Sequence, residues 1–218
     1  MNKGWNRWDT VILLLGLVPL VFAWTVYDRL PDLIPSHYGL NGQPDDFSDK
    51  LSFILMMSGL NLGLPFLIKW MPAVDPRRKN YRKFSRFYGL FRFAITLFFS
   101  GMFTMILLKS LGYPIDIAKV VMLGIGLLWM LIGNYLGQVR SNWFFGIKLP
   151  WTLESDEVWR RTHRISGGVW MGAGLMILLS SFLPLPVAFW TVAIAVAGSV
   201  LVPGVYSYLL FQKLNDHA

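Results

Sequence analysis

TVILLLGLVPLVFAWTVY, residues 10–27, runs for eighteen residues without a charged side chain. A helix crossing the hydrocarbon core of a bilayer needs about 20 mostly apolar residues. Five further runs of this kind follow at 51–71, 90–108, 118–136, 167–183 and 187–211. They predict an all-α, polytopic membrane protein with six transmembrane helices, forming a single integral membrane domain over 1–218. The second run is the least clean, with Asn61 in its middle and Lys69 near one end. The fifth is short, and the sixth is long enough to tilt. Pro19, Pro65 and Pro203 fall inside runs, which membrane helices tolerate when a neighbour satisfies the freed carbonyl. Lys3 and Arg7 followed by an apolar run also resemble a signal peptide. The run stays apolar past Ala23, however, so an uncleaved anchor is expected.

The composition supports this reading. Hydrophobic residues make up 55% of the 218 residues and charged residues 15%, against about 45–50% and 25% in soluble domains. The mean hydropathy is +0.49. The absence of cysteine excludes disulfides, thiol nucleophiles and thiolate metal sites. The net charge is +8, and the placement of the cations explains it. Sixteen of the twenty Lys and Arg fall before the first run, in or flanking the 72–89 loop, in the 137–166 loop or in the tail. Only Arg29, Lys50, Lys109 and Lys119 fall on the other side. The positive-inside bias then places both termini in the cytoplasm. The 72–89 loop reads as a solvated, lipid-facing basic cytoplasmic segment attracted to anionic headgroups, with no motif for direct nucleic-acid binding.

The 28–50 loop is then extracellular, and it is acidic. Pro31, Pro35 and Pro44 stiffen it, and Asn41-Gly42 is a turn signal, so a compact, structured loop is expected. Leu33, Ile34, Tyr38, Leu40 and Phe47 can fold onto the membrane surface. His37 with scattered Asp matches no ligand motif. These side chains are expected to hydrogen-bond the loop's own turns, with no metal and no cofactor.

The 137–166 loop carries Trp143, Phe144, Phe145, Trp151 and Trp159, too many aromatics for a stretch surrounded by water. It is expected to lie along the inner membrane face. Ser155 reads as an N-cap followed by Asp156 and Glu157, with Arg160, Arg161 and Arg164 later. That order predicts a short interfacial helix leading into the fifth run, with a Glu157–Arg161 pair. Asn134 and Arg140 either cap and snorkel at the end of the fourth run or belong to a binding surface with Asn142, Glu154 and His163. Ser141, Ser155 and His163 lack any nucleophile-elbow context.

At these two loops the sequence resembles the SdpI family of bacterial multi-pass immunity proteins. The first loop matches at Leu30, Pro31, Asp32, Ile34, Pro35, Ser36, His37, Gly42, Asp45 and Lys50, a pattern similar to a small domain of unknown function common in that family. The second matches at 133–136, 139–142, Gly146, Ile147, 150–152, Val158, Trp159, Thr162 and His163. The resemblance implies a non-enzymatic protein of the bacterial cell membrane that protects its producer from a secreted peptide toxin. It further implies signalling, by holding a transcriptional repressor at the membrane. The binding candidates it implies are Asp32, Pro35, His37, Gly42, Asp45 and Lys50 outside, and Asn134, Arg140, Asn142, Gly146, Pro150, Trp151, Trp159 and His163 inside.

Two other classes compete with this one. A membrane enzyme acting on lipid or peptide would use His37 or His163 with nearby acids. A small transporter would favour charges in mid-span or broken helices facing each other; Asn61 and the span prolines point that way, and no acidic residue lies deep in any span. Divided three plus three, each half carries its long loop after its first span, on opposite sides, as an inverted repeat would place them.

Overall fold

Apolar stretches and their breakers divide the chain into eight α-helices and one hairpin in a computed structural model that describes residues 4–39 and 41–216. Lys3, among the counted cations, and Leu40, among the surface apolars, lie outside the described residues. Helix α1 is Arg7–Thr25; strands β1, Leu33–Tyr38, and β2, Pro44–Asp49, follow. Helices α2, Lys50–Ser58, and α3, Leu64–Val74, are joined through a π-turn at Gly59–Gly63. A 3-10 stretch, Arg78–Phe84, leads into α4, Ser85–Ser110, and then come α5, Ile117–Leu136, and α6, Pro150–Glu154. Helices α7, Asp156–Ser180, and α8, Leu185–Asn215, complete the chain.

Among the described residues, five stretches are long and apolar enough to cross a membrane: Arg7–Thr25, Lys50–Val74, Arg78–Ser110, Ile117–Leu136 and Leu185–Asn215. The fold is all-α and polytopic, with one small hairpin added. The expected fifth span, 167–183, falls in α7, a helix of 25 residues whose own sequence is more polar. Its polar side is covered by protein: Thr162, Ser166, Gly174 and Ser180 are buried, while Leu175, Met176 and Leu179 face outward. The outer surface is apolar elsewhere too, at Leu14, Val18 and Val21 of α1 and Trp190, Ile194, Leu201 and Val205 of α8. So much exposed apolar surface suits lipid and not water.

Successive helices run back and forth, so Arg7, Val74, Arg78, Leu136, Pro150 and Asn215 share one end, the basic end. The hairpin lies at the other. Each end has its own core. Ala23, Ile34, Phe53, Phe103, Leu107 and Ile117 pack below the hairpin. Tyr81, Phe84, Phe87, Leu136, Val139 and Trp159 pack at the basic end. The 72–89 loop is thus only partly the solvated segment expected: its aromatics Tyr81, Phe84, Phe87 and Tyr88 are buried, while Arg78, Lys79, Arg82, Lys83 and Arg86 face out.

Three prolines inside helices show how the spans are held. Proline removes an N–H, leaving the carbonyl four residues earlier without its helical donor. In each case a side chain from another helix supplies the donor. Pro19 frees the Leu15 carbonyl, which accepts from Ser100 Oγ at 3.2 Å. Pro72 frees Ile68, which accepts from Tyr88 Oη at 2.5 Å. Pro203 frees Ser199, which accepts from Trp170 Nε1 at 2.9 Å. Asn61 is fully buried, donating to the Gly16 carbonyl at 2.9 Å, and its Oδ1 shares the single Ser100 hydroxyl proton with the Leu15 carbonyl, lying 3.0 Å from Ser100 Oγ.

Helices α5 and α7 approach closely enough for backbones to touch. A Cβ on Gly133 would lie 2.6 Å from Met171 N and 2.9 Å from Gly167 O. One on Gly126 would lie 2.7 Å from Leu178 N. Small residues at membrane helix interfaces permit this approach.

Candidate functional site

The 28–50 loop is a β-hairpin. Leu33 pairs with Asp49, Ile34 with Ser48 and Pro35 with Phe47, and an irregularity follows at Ser36 before His37 meets Asp46. Gly42 turns the tip at φ 73°, a backbone conformation that suits glycine. The tip lies over the starts of α5 and α8, where a Cβ on Gly42 would meet Leu185 at 3.2 Å. Ile34 plugs the core below.

All six outer candidates belong to this hairpin or its base. His37 Nδ1 lies 2.6 Å from Asp45 Oδ1, both side chains exposed. Lys50 Nζ is 3.1 Å from Asp32 and stands over the Tyr27 ring. Asp49 caps α2 by accepting from Ser52 N at 2.9 Å, and these bonds hold its carboxyl below the usual range. Among the described residues no three His, Cys, Asp or Glu side chains gather as a metal would require.

At the basic end the 137–166 loop and the 72–89 loop fuse into one platform. Asn142 is fully buried. Its amide donates to the Arg140 and Phe145 carbonyls at 2.8 Å, and its oxygen accepts from Phe144 N and Phe145 N. Tyr81 Oη lies 2.7 Å from Asp75 and 3.1 Å from Asn142 Oδ1. Asp75 is itself buried and accepts from Arg77 N and Trp143 N. Arg77 reaches Ser141 Oγ and the Leu153 carbonyl, and Asn80 donates to the Ser141 carbonyl at 2.8 Å. Asp75, Arg77, Asn80 and Tyr81 are absent from the sequence-derived candidates. The one available signal was Asp75, the lone acid beside a run of cations.

His163 is buried on the platform's other side. Its Nε2 accepts from Ile147 N at 2.9 Å, so Nδ1 carries the proton and donates to the Trp159 carbonyl at 2.8 Å. The imidazole stacks on Trp159 at 4.0 Å, and Trp159 Nε1 donates to the Val139 carbonyl. Gly146 packs against both rings at φ 112°, leaving no room for a side chain. Trp151 Nε1 donates to Ser207 Oγ at 2.8 Å, tying α6 to α8. Asn142, Gly146, Trp151, Trp159 and His163 thus build the platform. Asn134, Arg140 and Pro150 are exposed, beside exposed Trp143 and Phe144.

The helix that Ser155 was expected to start is α7 itself. Ser155 does cap a helix, accepting from Val158 N, and Glu157 pairs with Arg161 at 2.5 Å. That helix runs without a break to Ser180. The segment expected to lead into the fifth run forms the first turns of α7, and no proline interrupts 156–180.

His163 lies ahead of the apolar stretch, and burial lowers its pKa from 6.5 to about 4, against the bond to Trp159. The folded platform binds this proton more weakly than the open chain does. The stability His163 contributes is fully present above about pH 6.5 and is lost as pH falls toward 4. Hydrogen-exchange protection of the Ile147 amide is expected to weaken over this window in the wild type. An unchanged protection would overturn the assignment.

The comparisons with known proteins fit this division into two loops. The SdpI/YfhL protein family model matches residues 138–207, and that of a domain of unknown function (DUF1648) matches residues 14–62. The chain is 28% identical over 207 residues to Immunity protein SdpI of Bacillus subtilis (strain 168), covering 94% of this chain and 97% of that protein. No solved structure matches. The hairpin region and the platform region are thus each matched, in the same order along one chain, and the chain is similar over nearly its whole length to an SdpI immunity protein.

Proposed function

We propose that the chain is an immunity protein of the bacterial cell membrane, protecting its producer against a secreted antimicrobial peptide. The observation that carries this is the near full-length similarity to Immunity protein SdpI. The function is recognition without chemistry. The hairpin faces outward and meets the toxin; the platform faces the cytoplasm, as the placement of the cations supports. Arg140, Trp143 and Phe144 stand exposed on the platform, an aromatic and basic surface suited to a protein partner. We assign that partner as a transcriptional repressor, held there when toxin is sensed; the chain itself touches no nucleic acid.

Expression in a toxin-sensitive bacterial host tests the reading. Wild type is expected to protect, and His37→Ala to protect partially, through a loosened hairpin. Arg140→Ala and Trp143→Ala should impair repressor capture at the membrane while leaving protection in place. Reporters fused at Gly42 should lie outside, and those at Lys79 and Glu154 inside. A catalytic acid or base is typically worth 10²–10⁴-fold in rate. Complete loss of protection on His37→Ala or His163→Ala, with normal insertion and silent aromatic variants, would replace this reading with an enzyme.

A further inference from the structure

We infer that the basic end of the first half holds a seat for the headgroup of an anionic phospholipid. Where α1, α3 and α4 meet the 3-10 stretch, the chain forms an open pocket of about 910 Å³. Seven of its seventeen lining residues are Lys or Arg, and none is Asp or Glu among the described residues. The pocket is larger than a free phosphate needs, and it lies in the 300–1,000 Å³ range of organic ligand sites.

Two of the seven cations are buried. Lys69 and Arg92 keep 9% and 3% of their side-chain surface exposed, and both bond the single carboxylate of Asp9 at 2.8 Å. The three groups together carry one uncompensated positive charge. That excess charge lines the pocket beside five exposed cations, Arg7, Arg78, Lys79, Arg82 and Arg86, and a cleft lined by one sign of charge draws an anion. Arg92 spends Nε on the Pro65 carbonyl and one terminal nitrogen on Asp9. Its other terminal nitrogen has no partner among the described residues, and Arg92 lines the pocket. Arg78, Arg82 and Arg86 are exposed along the rim, on the residues that open the third long span.

The surroundings favour a lipid over a soluble phosphate. Trp8 and Trp70 line the same pocket, and Trp70 is half exposed on the outer surface. Tryptophan at this level marks the headgroup layer. Basic pockets between helix ends on that side of a membrane suit acidic headgroups. A phosphodiester would accept from the rim arginines and Arg92 while its glycerol and acyl chains leave past the indoles.

The test uses the full chain, purified free of lipid in neutral detergent. Phosphatidylglycerol, phosphatidylcholine, and glycerol phosphate with inorganic phosphate are each titrated and followed by native mass spectrometry and thermal shift. Wild type is expected to retain phosphatidylglycerol at low stoichiometry and gain thermal stability, with little response to phosphatidylcholine or the soluble phosphates. The triple variant Arg78→Ala, Arg82→Ala, Arg86→Ala should bind on the order of 100-fold more weakly. A control of equal charge change outside the pocket, Lys83→Ala, Arg164→Ala, Lys213→Ala, should bind as wild type does. Equal weakening in the control would reduce the effect to diffuse surface attraction and overturn the seat. An equal response to phosphatidylcholine, or saturation by soluble phosphates, would overturn it as well. If the alanine triple fails to fold, the wild-type comparison of the lipids decides alone. All arms read lipid occupancy, so the outcome is independent of immunity.

Discussion

Gly133→Leu is expected to separate α5 from α7 and to leave the second half of the bundle open. The first added carbon already meets Met171 N at 2.6 Å and Gly167 O at 2.9 Å, both of them backbone atoms that cannot rotate away. Leucine places three more carbons behind it. Overpacking a well-fitted interior costs about 1–3 kcal/mol and sometimes more. Here the collision is with a helix axis, so the upper end is expected. Even Gly133→Ala should be costly. Gly172 on the same α7 has open space around its missing Cβ, and Gly172→Ala should be neutral or stabilising, by up to about 1 kcal/mol. Thermal unfolding in detergent, read alongside protease resistance, compares the three. Equal behaviour of Gly133→Ala and Gly172→Ala would mean the close crossing does not exist.

Asp9→Ala is expected to have an effect of similar size by a different route. Asp9 is fully buried and bonds Lys69 and Arg92, and its carboxylate also accepts from Asn6 N at 2.9 Å, closing a capping box at the start of α1. Removing it abandons two cations in a site they cannot leave easily. Breaking a buried ionic group by deleting one member costs about 3–5 kcal/mol. The double variant Asp9→Ala, Lys69→Met should recover part of this, because one of the stranded charges goes with the carboxylate. Membrane accumulation and melting temperature measure both. No recovery in the double variant would argue that the cap, and not the charge, carries the loss.

Lipid makes some features legible in sequence and hides others. An unsatisfied polar group in hydrocarbon is so costly that spans must be continuous apolar helices, and such runs can be read directly. The 10–27, 118–136 and 187–211 runs coincide with α1, α5 and α8 to within a few residues. Helix α7 was less legible because its neighbours, not lipid, surround its polar stripe. The hairpin strands were missed as strands: Pro35 and Pro44 sit within them, and a bulge breaks the alternation. Long-range polar partners were the least legible. Asp9 lies 60 residues from Lys69 and 83 from Arg92, and read singly the two cations look like ordinary flanking charges. Asn142 was picked out, but its partner Tyr81 sits in a stretch that reads only as basic.

The proline carbonyls and their borrowed donors divide the molecule in a way the helix count does not. Leu15 takes its donor from α4 and Ile68 also from α4; Ser199 takes its donor from α7. Each of these joints closes within one half of the chain. Among the described residues, side-chain hydrogen bonds between residues 4–110 and 117–216 occur only at the basic end, from Asp75, Arg77, Asn80 and Tyr81. Across the membrane's depth the two halves meet along α4 and α5 through Leu97, Phe98, Met102, Leu127 and Leu128, around a largely apolar hollow of about 290 Å³. Dispersion contacts of this kind resist separation but have no directional preference, and they re-form after a small slide. The chain is therefore two internally keyed blocks on a greased seam. They are buckled together by hydrogen bonds at the platform and touched from above by the hairpin tip. A load on the tip meets both blocks at once, and the next polar bonds between them are those that hold Asn142 and Ser141 in place.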